Sequence, residues 1–137
     1  MKLVSVYLLQ QDYAAVDFLY QLLAEREPHE SISHRRMPTF SEHVAFVHSV
    51  PYPAWYLLEQ DGKRVGAAYL TAQREIGIAI SKAHRGQGLA SLALAAVMRQ
   101  HRGGRFLANI NPANEASIAL FRKHGFGGPI QLTLEKP

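Results

Sequence analysis

The residues with the most chemical potential form one run, Ser81-Lys82-Ala83-His84-Arg85-Gly86-Gln87-Gly88-Leu89-Ala90, with Glu75 just ahead of it. A basic turn with two glycines that leads into an apolar-periodic segment can bind an anion. The first N–H groups of a helix lack intrahelical acceptors, and the aligned peptide dipoles add positive potential there. Gly86 and Gly88 have no Cβ, so a phosphate can reach the backbone and φ can turn positive. Recognition of a phosphorylated ligand is the chemistry to expect. Glu75 can accept a proton; a solvated strand-end charge beside Arg74 is the alternative role.

Elements must hold this turn in place. Glu75–Ile80 reads as the strand before it and Leu89–Gln100 as the helix after it, with Leu89, Leu92, Ala93, Ala96 and Val97 on one face. Upstream, Leu3–Leu9 is strand-like, and Asp12 caps a helix running to about Glu27 and closed by Pro28. Thr39 and Glu42 form a capping box for a short helix carrying Phe40, Val44 and Val47. Trp55–Glu59 and Val65–Thr71 predict a hairpin about Asp61-Gly62. Downstream, Phe106–Ile110 reads as a buried strand, and Asn111 caps a last helix with Pro112 in its first turn and Gly125 at its end. Ile130–Leu134 is a final short strand. The alternation of strands and helices gives an α/β class in one domain over residues 1–137.

The chain of 137 residues carries a formal charge of +4, which suits an anionic ligand. Its Lys and Arg residues are scattered, so no specific nucleic-acid site is expected. There is no cysteine, which excludes a disulfide, a thiolate metal site and an acyl-cysteine intermediate. No apolar run approaches membrane-spanning length, and the expected setting is cytoplasmic. His29 and His34, like His43 and His48, are five apart and lack a metal-ligand spacing, so solvent-facing or capping roles and no metal are expected.

Three phosphate motifs compete at the turn. A P-loop needs Lys then Ser or Thr after the second glycine, whereas Leu89-Ala90 follow Gly88. A dinucleotide fingerprint needs an acidic residue ending the next strand, and Asn109-Ile110-Asn111 provides none. The run Arg85-Gly86-Gln87-Gly88-Leu89-Ala90 instead resembles the pyrophosphate loop of the GNAT superfamily of N-acetyltransferases, in which Arg85, Gly88 and Ala90 occupy the defining positions. The stretch from Asn109 to Phe126 is similar to a second family segment: a strand, Asn114, Ser117, an aromatic at Phe121, Lys123 and a closing Gly125-Phe126. The resemblance covers essentially the whole chain.

The resemblance implies a mixed, mostly antiparallel sheet of about six strands flanked by about four helices. It implies acetyl-CoA as cosubstrate, with its pyrophosphate on Arg85, Gly86, Gln87, Gly88, Leu89 and Ala90 and its pantetheine along the backbone of Ile78 and Ile80. Asn114, Ser117 and Lys123, or Arg122 in its place, would meet the cofactor's far end; Asn114 and Ser117 could instead only satisfy backbone near a helix start. Glu75 resembles the general base of some members. Phe121 stands where the family often has a proton-donating Tyr, and Tyr69 or Tyr56 could replace it. His34, Arg35 and His43 fall in the acceptor region. With Met37, Pro38 and Trp55-Tyr56 nearby, they look similar to members acting on nucleotide-linked amino sugars.

The implied activity is transfer of an acetyl group to a primary amine of a small molecule by direct attack in a ternary complex. Acetylation of a protein N-terminus or lysine, and a non-catalytic acyl-CoA-binding module, are the alternatives. The short final strand leaves an edge that a second subunit could cover, so a homodimer is expected.

Overall fold

The computed structural model describes residues 1–31 and 36–137. His34 and Arg35 lie outside the described residues.

Four strands form one antiparallel sheet in chain order: β1 (Lys2–Ser5), β2 (Ala54–Gln60), β3 (Lys63–Leu70) and β4 (Ile76–Ile80). Four helices surround it: α1 (Tyr13–Ala24), α2 (Phe40–His48), α3 (Leu89–Gln100) and α4 (Glu115–Lys123). This is the expected mixed α/β architecture with four strands among the described residues rather than about six.

Strand alternation splits the core into two layers. On β2, Ala54, Tyr56 and Leu58 face α3 and α4, where they meet Leu89, Ala93, Leu94, Val97 and Phe121. Trp55 and Leu57 face α1 and α2, against Val16, Leu19, Leu22 and Val47. A bulge opposite Leu58/Glu59 leaves Val65 without a cross-strand partner and turns it onto the same face as Ala68 and Leu70. The hairpin turns at Asp61 (φ +52°) and Gly62 (φ +76°), two left-handed residues that match the strands' twist.

Two of the three predicted N-caps form. Asp12 accepts the Ala15 N–H at 3.2 Å, and Thr39 and Glu42 exchange bonds at 3.1 and 2.9 Å. Five expectations are corrected. The first strand stops at Ser5, where the Ser5 side chain caps a 3-10 turn over Val6–Leu8. Phe106–Ile110 is not a full strand; Leu107 alone makes a parallel bridge, to Glu75. Residues 130–134 form no strand, and Ile130, Leu132 and Leu134 are exposed. Asn111 does not cap α4: its side chain accepts the Ala113 N–H in a turn at 2.9 Å, and Asn114 is the cap instead. Leu92 also leaves the buried stripe of α3 and is exposed.

Candidate active site

The glycine turn has the predicted backbone. Gly86 (φ +77°) and Gly88 (φ +73°) are both left-handed, and Gly88 is the N-cap of α3. No side chain caps that helix, so its first-turn N–H groups face outward beside exposed Gly86, Gln87 and Gly88. Leu89 is buried in the core and anchors the helix start; Ala90 packs partly against the same core.

The turn is fastened from behind. Arg85 donates from Nε to the Ile80 carbonyl at 3.1 Å and pairs with Glu30 at 3.1 Å. Lys82 pairs with Glu27 at 2.6 Å, and its N–H donates to Glu25 at 2.9 Å. The Lys82 hydrogen bond and charge hold Glu27 below the usual carboxylate range. Ser81 Oγ lies 2.6 Å from His84 Nδ1 and braces the 3-10 turn Lys82–His84. The cations at 82 and 85 therefore serve the turn's geometry, while its outer surface is main-chain amide.

β4 has an open outer edge. The Ile76 N–H donates to the Leu107 carbonyl at 2.8 Å, so Ile76 faces away from β3. The two-residue period puts the backbone of Ile78 and Ile80 on that same edge. The parallel pairing stops at Glu75 and Leu107, so beyond it the edge of Ile78 and Ile80 has no neighbouring strand among the described residues. The Ile80 carbonyl is taken by Arg85.

Across the α1/α2 face of the sheet lies a cavity of about 130 Å³. Its walls are Leu19, Leu22, Leu23, Phe46, Tyr52, Trp55 and Tyr69, with Arg26 and His43 as polar members and Ile78 and Ala79 as its border on β4. Tyr52 stacks on Tyr69 with centroids 4.3 Å apart and meets Trp55 edge-on at 5.2 Å. The Tyr69 ring lies over Gly77, where any Cβ would run into it. Burial pushes the Tyr69 hydroxyl pKa up, with smaller opposing contributions from Arg26, which lowers it, and Glu75, which raises it.

Glu75 is half-buried at the start of β4, its N–H bonded to Thr71 Oγ1 at 3.0 Å. His43 is buried rather than solvent-facing; its Nε2–H donates to the Val16 carbonyl at 3.2 Å, and burial lowers its pKa. Phe121 is also core, edge-on to Phe126 at 5.0 Å. Asn114 accepts the Ser117 N–H at 3.2 Å, so at least one of its bonds serves the helix start. Lys123 is exposed at the end of α4. The remaining candidate donor, Tyr56, is bonded to His101 at 2.6 Å on the opposite face from Tyr69.

Thus Glu75 and the turn stand at the two ends of the β4 edge, with His43 lining the cavity beside it. Sequence reasoning missed Arg26, Phe46 and Tyr52 as cavity residues; in the sequence Tyr52 is visible only as part of a Pro-Tyr-Pro break. Among the described residues, no three His, Asp or Glu side chains gather as a metal site, and no helix is long and apolar enough to cross a membrane.

Several solved structures are similar to this chain. A crystal structure of an N-acetyltransferase from Staphylococcus aureus Mu50 superposes with TM-score 0.65 at 24% identity, over 85% of this chain and 78% of that one. An acetyltransferase from Thermus thermophilus gives 0.71 at 21% identity, over 92% and 86%. A GNAT superfamily phosphinothricin acetyltransferase from Sinorhizobium meliloti, in complex with AcCoA, gives 0.68 at 23% identity, over 90% and 73%. These likenesses establish the fold. No curated protein matches the chain at comparable significance. The profile described as the acetyltransferase (GNAT) family matches residues 16–126, most of the chain including the glycine turn and α4, and the chain belongs to that family.

Proposed function

We propose that the protein is an N-acetyltransferase that moves an acetyl group from acetyl-CoA to a primary amine of a small molecule, by direct attack within a ternary complex. One observation carries this reading: an uncapped helix N-terminus behind two left-handed glycines lies directly beyond a strand edge that its neighbour has vacated. A diphosphate joined to an extended amide chain has the shape and hydrogen-bonding pattern to occupy both.

The backbone of residues 85–90 would hold the diphosphate, and Ile78 and Ile80 would pair with the pantetheine. Asn114, Ser117 and Lys123 are assigned to the far end of the cosubstrate. Acetyl-CoA supplies an activated acyl group. Glu75 accepts a proton from the acceptor ammonium, directly or through water, so that nitrogen can attack. The outward Ile78 N–H is positioned to stabilise the oxyanion at the acyl oxygen. Phe121 has no proton to give, and a thiolate is a tolerable leaving group near neutral pH.

The bound AcCoA of the Sinorhizobium meliloti relative supports the choice of cosubstrate. The small volume of the cavity supports a small acceptor over a folded protein. Its apolar walls favour a compact amine over a nucleotide-linked amino sugar, the acceptor suggested by His34, Arg35 and His43. We also infer a cytoplasmic homodimer, in which a second copy covers the exposed Ile130, Leu132 and Leu134.

Calorimetric titration with acetyl-CoA, followed by a thiol-release assay across amines, tests the reading. Uptake of acetyl-CoA and amine-dependent release of CoA are expected. Absence of binding by folded protein overturns it.

A further inference from the structure

We infer that the acceptor is a zwitterionic α-amino acid with a ring-sized apolar side chain, held with its ammonium toward Glu75, its carboxylate on Arg26 and its side chain inside the aromatic cavity. This rests on the transferase reading above and names the substrate class of the same site.

The argument begins with size. The cavity holds about 130 Å³, and an apolar protein cavity of about 150 Å³ accepts one benzene molecule. A phenyl ring or a branched aliphatic chain fills such a volume. The walls have matching chemistry, since Phe46, Tyr52, Trp55 and Tyr69 present ring faces and edges to an apolar guest.

Charge supplies the second constraint. Arg26 lines the cavity, and its flanking carboxylates are both engaged by Lys82: Glu25 through the main chain, Glu27 through Nζ. No ion pair engages Arg26 among the described residues, and no carboxylate lines the cavity. The pairing of Glu25 with Lys82, two residues beyond Ile80, holds the end of α1 beside the end of β4. An unneutralised guanidinium is thereby set beside the strand where acyl transfer is assigned, and it recognises carboxylate well. Glu75 opens the same strand, whose Ile78 and Ala79 border the cavity. Arg26 in the cavity wall and Glu75 at the start of the strand that borders the cavity offer the two charges an amino acid would meet. A polyamine would meet Arg26 with repulsion.

The step balances without a further reactant. The ammonium gives one proton to Glu75, and nitrogen bonds to the acyl carbon. The C–S bond then breaks with its electron pair on sulfur. The second nitrogen proton goes to the thiolate, and Glu75 returns its proton to solvent. An N-acetyl amino acid and free CoA result.

Trp55 is the only tryptophan and lines the cavity, so its emission reports occupancy independently of turnover. The test titrates L-phenylalanine, L-alanine, phenethylamine, spermidine and a nucleotide-linked amino sugar, following Trp55 emission and thiol release, with acetyl-CoA calorimetry in parallel. L-phenylalanine is expected to shift the emission and to exceed phenethylamine in kcat/KM by about tenfold, the scale of a charge-assisted bond. Arg26→Ala is expected to raise KM for L-phenylalanine by a similar factor and to remove its advantage over phenethylamine. Because Arg26 is exposed, the variant keeps its core. Equal or better use of phenethylamine, spermidine or the amino sugar overturns the assignment, as does an Arg26→Ala variant that retains the preference. If acetyl-CoA binds while L-phenylalanine neither moves the emission nor is acetylated, the acceptor assignment falls and the transferase reading stands. If acetyl-CoA does not bind, both fall.

Discussion

The turn at residues 81–90 and the cavity under α1 and α2 lie on either side of β4, yet they are built by opposite means. The turn offers main-chain N–H groups from consecutive residues, and its charged side chains point back into the scaffold, Arg85 to Glu30 and Lys82 to Glu27. The cavity offers side chains from α1, α2, β2, β3 and β4, brought together only by packing. A group common to every acyl-CoA can be recognised by backbone alone. An acceptor that distinguishes one enzyme from another needs side chains.

This contrast can be broken most decisively at Gly88. With φ at +73°, Gly88→Val forces a β-branched residue into a left-handed conformation costing roughly 1–3 kcal/mol. Acetyl-CoA affinity by calorimetry is expected to fall about ten- to hundredfold, while Trp55 emission still responds to the acceptor. A Kd within twofold of wild type would show that the amides of the turn are not the binding surface.

A middle-sized effect is expected at Phe121. Phe121→Tyr places a hydroxyl among Leu94, Val97 and Phe126, where an unpaired polar group costs about 1–3 kcal/mol. Thermal unfolding is expected at lower temperature with no gain in kcat. A rise in kcat would move the proton donor onto α4 and away from the sheet face.

The smallest effect sharpens the cavity side. Burial lowers the pKa of His43 below its usual 6.5. Below 6.5 the unfolded chain then binds more protons at this site than the folded one, so stability is full above that value and declines as pH falls through it. His101, also lowered by burial and by Arg74, adds to the same window. The melting temperature between pH 7.5 and 5.5 is expected to fall less for His43→Gln than for wild type. An identical slope in the two proteins would contradict a neutral, buried His43.

What was legible in the sequence follows from the same division. Residues Leu89–Gln100 read correctly as a helix because glycine, cap position and period all agree within a few residues. Asp12, Thr39 and Glu42 cap as expected because capping is a three-residue interaction. Phe106–Ile110 looked like a strand because it is apolar, but a strand needs a partner, and only Leu107 is given one. In Asn111-Pro112-Ala113-Asn114 either asparagine could cap; the first is used by its own turn. His43 shows the limit most clearly. Its spacing from His48 argues against a metal, but its burial depends on α1, where Tyr20 packs against it and the Val16 carbonyl takes its ring N–H.

The clasp between the end of α1 and the turn has an ionic-strength consequence. Lys82 and Arg85 enter any ligand encounter already neutralised by carboxylates, so few mobile counterions are displaced when a diphosphate docks on the amides. Added salt therefore weakens coenzyme retention less through these two cations than through the helix N-terminus and the exposed Lys123, whose potentials it screens.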